Sequence, residues 1–154
     1  MKVLVIPEDQ TYNGYILKPL VKEIVADAGR PSVKVTTPGR PRIRGYPHAM
    51  TVIREELPIL YGFYDIWVFF PDADRATDDA MRRLECDLAK RGIRLICCPA
   101  QPEVEIFACA AFRKAIRGTW EEARTNPRMK EEVFQPLLES YTVIPSGRAE
   151  AETS

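Results

Sequence analysis

Acidic side chains follow three apolar segments of this sequence, each near the point where the segment ends. Glu8 comes directly after the first segment, and Asp72 and Asp74 come just after the most apolar one. Glu103 and Glu105 lie a few residues beyond a third. Carboxylates held close together repel one another and raise each other's pKa unless a cation is present. Hard oxygen ligands of this type suit Mg²⁺ or Mn²⁺, and such a site supports displacement at phosphorus.

The same acids have a plainer interpretation. Asp-rich turns are common after strands because Asp tolerates turn geometry and caps helices, and a single Asp-x-Asp motif is a weak signal. Asp78 and Asp79 fit the first turn of a helix better than a ligand site. Three acidic segments that meet at one sheet edge are harder to explain in this way, and their convergence favours a site.

A basic loop, Gly39–Gly45, contains three arginines. Arg40, Arg42 and Arg44 carry planar guanidinium groups, which suit the phosphate oxygens of a nucleic-acid backbone. Arg75 directly follows the Asp-x-Asp motif and could steady its carboxylates or contact a phosphate. Alternatively, the loop is only a solvated basic segment, or its arginines pair with acids of the next helix. Arg75 could likewise be only an ion-pair partner of the Asp-x-Asp carboxylates.

The spacing of apolar residues predicts four strands that alternate with helices. Apolar stripes of helical period follow the strands; one runs from Met50 to Leu60 with Pro58 near its end, and Asn126-Pro127 opens the last. This order predicts an α/β fold in which a four-stranded parallel sheet is flanked by helices, as in Rossmann-like proteins. The ligand site of such a sheet lies outside the carboxyl ends of its strands, where the acids are expected. The predicted strands are Val3–Ile6, Val33–Thr36, Asp65–Phe70 and Ile93–Cys98.

The composition is that of an ordinary globular protein. The 154 residues include 22 Lys+Arg and 22 Asp+Glu, so the formal net charge is zero, with 45% hydrophobic and 29% charged residues. A neutral chain is not expected to bind nucleic acid or membranes indiscriminately. The longest apolar run, Ile66–Pro71, is far shorter than the ~20 residues of a membrane helix, and we expect no signal peptide. We therefore expect one cytoplasmic domain over residues 1–144, with a disordered tail at 145–154 and no membrane partner.

The four cysteines do not predict a zinc site. They contain no C-x-x-C pair, and His48 is the only histidine that could supplement them. We expect four reduced, structural thiols, because disulfides are rare in the cytoplasm. An isolated histidine after Pro47 is better explained as a surface or capping residue than as a catalytic base.

The acidic motifs, taken together, resemble those of a Toprim domain. The chain is most similar to small stand-alone Toprim-like proteins related to the Toprim part of OLD-family nucleases, which are often encoded beside ABC-type ATPases in bacterial defence neighbourhoods. The resemblance covers roughly Met1 to Leu138. It rests on Glu8, Asp72-Ala73-Asp74 and Pro102–Phe107, and it includes the Gly39–Arg44 loop and the stretch Asn126–Lys130, which is similar to a D/N-P-K-type stretch.

The resemblance implies a four-stranded parallel sheet that binds one or two divalent cations, Mg²⁺ or Mn²⁺. Glu8 would act in general acid–base chemistry or hold metal. Asp72 and Asp74 would be metal ligands, and Glu105 or Glu103 would belong to a second metal position. The implied activity is that of a nuclease or nuclease subunit acting on nucleic acid, with DNA as the expected substrate and an ABC-type ATPase as the expected protein partner. The sequence does not distinguish a monomer from a homo-oligomer.

Two departures from the Toprim pattern favour a second hypothesis. Asp9 stands where these domains usually have glycine, and Tyr12 stands where an acidic residue often follows Thr11. The alternative is therefore a catalytically weak, Toprim-shaped module that docks on an ATPase or on nucleic acid. The sequence has no Walker motif, so an ATP-driven step would have to come from a partner.

Two other families with aspartates after strands fit less well. Haloacid-dehalogenase-type phosphatases have their Asp-x-Asp after the first strand, usually with Thr or Val two residues later, where this chain has Ala76. A receiver domain needs a lysine at a late strand end, and no convincing candidate is present.

Overall fold

The structure is a computed structural model that describes residues 1–10, 14–73, 76–101, 103–111 and 113–142. The strands are β1 (Lys2–Pro7), β2 (Lys34–Thr36), β3 (Ile66–Phe70) and β4 (Leu95–Cys97). The helices are α1 (Gly14–Asp27), α2 (Tyr46–Glu55), α3 (Leu57–Tyr61), α4 (Asp78–Ala89), α5 (Glu105–Ala111), α6 (Trp120–Thr125) and α7 (Gln135–Thr142). A π-helix (Lys130–Phe134) runs directly into α7.

The four strands form one parallel sheet in the order β2-β1-β3-β4, which confirms the predicted α/β fold. From β1 the chain moves outward to β2, and from β3 it moves outward on the other side to β4. The strand order therefore reverses between β1 and β3, the two central strands. In open parallel sheets, ligands bind outside the carboxyl ends of the strands at this reversal.

Helices cover both faces of the sheet, and the side chains of β1 alternate between them. Val3 and Val5 pack with α1, α5, α6, the π-helix and α7. Leu4 and Ile6 pack on the opposite face with α2, α3 and α4. Trp67 is fully buried in this second cluster. The long apolar runs of β1 and β3 thus reflect strands that are buried on both faces.

Two helical segments differ from the sequence prediction. The stripe from Met50 to Leu60 is divided between α2 and α3, because Pro58 has no backbone N–H to donate and is accommodated in the first turn of a new helix. The last segment begins with an Asn126 carboxamide that accepts the Arg128 N–H at 2.8 Å, but the turn Lys130–Phe134 is π-helical. Apolar periodicity is too coarse to predict one extra residue in a single turn.

The prediction for Asp78 and Asp79 is confirmed, because both lie in the first turn of α4. The Thr77 hydroxyl caps this helix by accepting the Ala80 N–H at 3.3 Å. None of the helices in the described part of the chain combines the length and apolar character needed to cross a membrane. Predictions for Thr11, Tyr12, Asp74, Arg75, Pro102 and the tail at 145–154 fall outside the described residues.

Candidate functional site

Glu8 and Asp72 lie side by side at the carboxyl edge of the sheet. They follow β1 and β3, whose register pairs Pro7 with Phe70, so the residues just beyond both strands are neighbours. The Asp72 backbone N–H donates to Glu8 Oε2 at 2.8 Å, and Glu8 is only 6% exposed. The structure thus brings the first two acidic segments together at the position where the strand order reverses.

The third acidic segment is tied to Asp72 by backbone contacts. Asp72 forms an isolated parallel bridge with Ala100, and the Ala73 N–H donates to the Ala100 carbonyl at 2.8 Å. Farther along, the Val104 N–H donates to Asp72 Oδ1 at 3.2 Å. Val104 lies between Glu103 and Glu105, so this bond brings both glutamates to the same edge as Asp72.

The electrostatic environment raises the pKa of Asp72 from its ordinary value to about 6. Burial is the largest cause, followed by the negative charge of Glu8, with smaller contributions from Glu105 and Glu103. The hydrogen bond from Val104 opposes the shift. Asp72 therefore shares a partly desolvated region with several like charges, and a cation placed there would relieve their repulsion.

A lysine that the sequence analysis did not select supplies a positive charge to this cluster. Lys130 Nζ lies 3.1 Å from Glu105 Oε1, whose side chain is only 4% exposed. Burial alone would lower the pKa of Lys130, but its hydrogen bond to Glu105 and the charges of Glu103 and Asp72 raise it. The one signal that could have found Lys130 is its place in the D/N-P-K-type stretch.

The arginine loop is anchored to the turn that carries Glu8. The Gly45 N–H donates to the Glu8 carbonyl at 3.1 Å, and Arg44 forms an isolated antiparallel bridge with Asp9. The Gln10 carboxamide accepts the Ile43 N–H at 3.2 Å and donates to the Pro38 carbonyl at 2.9 Å. These contacts place the loop beside the acidic cluster. Its three arginines, Arg40, Arg42 and Arg44, are exposed.

Tyr61 and His48 hold two other points of the arginine loop. The Tyr61 hydroxyl accepts the Gly39 N–H at 3.0 Å and donates to the Arg40 carbonyl at 3.2 Å. His48 Nδ1 accepts the Arg44 N–H at 3.1 Å, and the residue is exposed. His48 is therefore a surface residue, as the sequence predicted, but neither its contact with the loop backbone nor that of Tyr61 was predicted.

Tyr46 is a second aromatic residue near the site that the sequence did not single out. It begins α2 directly after the arginine loop, and its ring stacks on Phe69 with 6.5 Å between centroids. Burial raises the pKa of Tyr46, and the nearby Cys97 and Glu8 add to the shift. The phenol ring therefore covers the end of β3 close to Glu8.

Cys97, the last residue of β4, is not an activated nucleophile. All four cysteines are free thiols, and Cys86 is the exposed one. The Cys97 N–H donates to Glu85 Oε1 at 2.7 Å, and burial together with Glu85 raises the pKa of the Cys97 thiol to about 12. A thiol with this pKa is protonated at neutral pH and unreactive.

The donors at this edge are carboxylate oxygens, which suit a hard divalent cation. Among the described residues, which do not include Asp74, no group of three or more His, Cys, Asp or Glu side chains is arranged to hold a metal ion. Glu105 is instead engaged with Lys130. The chemistry of the donor set therefore fits Mg²⁺ or Mn²⁺.

Comparison with protein-family models, curated proteins and solved structures finds no match to this chain. The support for a function therefore comes from the geometry of the site.

Proposed function

We propose that this chain is a Toprim-like phosphoryl-transfer enzyme that depends on Mg²⁺ or Mn²⁺ and hydrolyses phosphodiester bonds in nucleic acid. The observation that carries the proposal is the convergence of Glu8, Asp72 and the segment Glu103–Glu105 at the reversal point of a parallel sheet. The raised pKa of Asp72 supports it, because perturbed carboxylates in such a position are typical of functional sites.

The acidic residues have distinct roles in this proposal. Glu8, Asp72 and Asp74 would hold a cation, and Glu103 and Glu105 would contribute to a second position. The bound metal would stabilise negative charge on the attacking and leaving oxygens of the phosphodiester. Glu8 is buried and accepts the backbone N–H of Asp72, so it also fixes the position of that ligand.

The arginine loop would bind the nucleic-acid backbone. Arg40, Arg42 and Arg44 are exposed, and the loop is anchored beside the turn that carries Glu8. Guanidinium groups bind phosphate oxygens in a bidentate manner and do not read base sequence by such contacts. Arg75, which follows the Asp-x-Asp motif, would add a further phosphate contact. We propose DNA as the substrate, and an ABC-type ATPase as a partner that supplies any ATP-driven step.

A second candidate is a binding module that docks on an ATPase or on nucleic acid and has little catalysis of its own. Asp9 favours it, because this residue replaces the usual glycine and its backbone is bridged to Arg44. Such a module would bind its partner without a requirement for divalent metal.

Calorimetric titration with Mn²⁺ tests the proposed metal site. We expect saturable binding by the wild type and its loss in Asp72→Ala, because this change removes a central carboxylate from the cluster. Asp87→Ala is the matched control, since Asp87 is exposed on α4 and pairs with Lys90 away from the site. A folded wild type that binds no Mn²⁺, or an Asp72→Ala variant that binds it normally, would overturn the proposed site.

The role of the arginine loop can be tested through Tyr61→Phe. The change removes two hydrogen bonds to the loop backbone while keeping the ring, so affinity for DNA should fall by about three- to tenfold. Fluorescence anisotropy with a labelled duplex at low salt measures the effect. Tyr64→Phe is the control, because its hydroxyl accepts a hydrogen bond from Thr36 instead. An equal loss of DNA affinity in both variants would contradict the proposed role of the arginine loop in DNA binding.

A further inference from the structure

The ion pair between Lys130 and Glu105 differs from pairs formed along a single helix. Lys90 and Asp87, for example, are i,i+3 neighbours on the surface and are both more than half exposed. Lys130 instead begins the π-helix, whereas Glu105 begins α5 and is buried, with 4% of its side chain exposed. A buried carboxylate loses its hydration, and removing its cationic partner costs far more than breaking a surface pair, so this contact has greater consequences.

The backbone around Lys130 places its ammonium group. Met129, the preceding residue, is buried, and its Sδ lies 3.9 Å from Sγ of Cys109 in α5. The contact fixes the start of the π-helix against the helix that begins with Glu105. π-helical turns are uncommon and occur frequently at functional sites. The Lys130 side chain is 48% exposed, so its flexible stem can also carry the ammonium group outward into solvent.

We propose that Lys130 is a built-in cation of this site: its ammonium neutralises the carboxylates in the metal-free protein and competes with divalent metal for Glu105. This inference rests on the proposed metal-dependent function. Lys130 Nζ lies 3.1 Å from Glu105 Oε1, whereas Mg²⁺ would bind a carboxylate oxygen at about 2.1 Å. Two cations at such distances from one oxygen repel each other strongly, so we expect a metal bound at Glu105 Oε1 to displace the ammonium group.

The competition has two consequences. In the metal-free protein, Lys130 offsets the repulsion that Asp72, Glu103 and Glu105 would otherwise exert on one another. On metal binding, the displaced ammonium reduces the net affinity, so the site fills only above a metal concentration that Lys130 helps to set. Removal of the positive charge should therefore strengthen metal binding and weaken the metal-free fold.

Mn²⁺ titration of Lys130→Met by calorimetry, together with urea unfolding in EDTA, tests the inference. We expect the dissociation constant to decrease by about tenfold, since a charge-assisted hydrogen bond no longer opposes the metal. The midpoint of unfolding without metal should decrease. Lys130→Gln should behave in the same way, and it provides a second neutral variant if the methionine variant folds poorly. Lys130→Arg keeps the charge and should bind Mn²⁺ like the wild type, as should the surface control Lys90→Met.

The outcomes separate this inference from the proposed function. If the wild type binds Mn²⁺ and the neutral variants bind it equally or more weakly, Lys130 only braces Glu105 and the inference is wrong, although the metal site stands. If neither the wild type nor the variants bind Mn²⁺, the metal site itself is wrong, and the inference is wrong with it.

Discussion

Replacing Glu8 by glutamine is expected to lower metal-dependent cleavage of DNA by about a thousandfold, in the range that loss of an acid–base group or metal ligand produces. Glu8 is 6% exposed and accepts the Asp72 N–H at 2.8 Å. Glutamine retains an oxygen that can accept this hydrogen bond, so the fold should persist. The change removes the negative charge and the ability to exchange a proton.

Plasmid DNA incubated with Mn²⁺ provides the measurement, with the rate of nicking followed for each variant. Glu55→Gln is the matched control because Glu55 is exposed on α2, and its variant should cleave at the wild-type rate. Retention of full metal-dependent cleavage by Glu8→Gln would remove Glu8 from the proposed chemistry. Binding of DNA without cleavage by a wild type that holds Mn²⁺ would favour the docking module instead.

Replacing Asp72 by asparagine is expected to stabilise the metal-free protein at pH 8 while it abolishes Mn²⁺ binding. The pKa of Asp72 is raised from 3.8 to about 6, chiefly by burial and by Glu8, so the folded state holds this proton more tightly than the unfolded state does. The stability contributed by the proton is complete below pH 3.8 and is lost as the pH rises through about 6. Asparagine stays neutral at every pH. With an allowance for the partial exposure of the side chain, we expect a gain of about 1–2 kcal/mol at pH 8.

Urea unfolding in EDTA at pH 4 and pH 8 measures this difference. Asp72→Asn should have a higher free energy of unfolding than the wild type at pH 8. This difference should be much smaller at pH 4, where the wild-type carboxyl is largely protonated. Addition of Mn²⁺ at pH 8 should stabilise the wild type but not the variant. Asp87→Asn, at an exposed ion pair on α4, should show neither effect. A variant less stable than the wild type at pH 8 would contradict the proposal that the ionised Asp72 carboxylate destabilises the folded protein.

The fold and part of the site could be predicted from the sequence because both depend on local patterns. The apolar runs of β1 and β3 are continuous since both faces are covered, and this pattern distinguishes buried parallel strands from exposed ones. Because the carboxyl ends of parallel strands share one edge, the acids after them were expected to converge. The contacts of Asp72 with Glu8 and Val104 are in keeping with that expectation.

Other features of the site could not be predicted because they depend on contacts between distant segments. Lys130 belongs to a helix on one face of the sheet, and nothing in its local sequence specifies Glu105 as its partner. Tyr61 contacts the arginine loop through its hydroxyl, although its apolar neighbours indicated only a buried helix. Neither the division of Met50–Leu60 into two helices at Pro58 nor the π-helix before α7 was predicted.

The sequence by itself determined that the protein is an α/β domain with acidic segments after three of its strands. Apolar period, turn residues and helix caps are short-range properties, and they act between residues that are close along the chain. Only the tertiary structure decided that β1 and β3 are neighbours, which places Glu8 against Asp72 at the reversal of strand order. It also decided that Lys130 lies against Glu105. Strand order and the pairing of distant charges follow from how the whole chain packs, and local sequence patterns do not encode them.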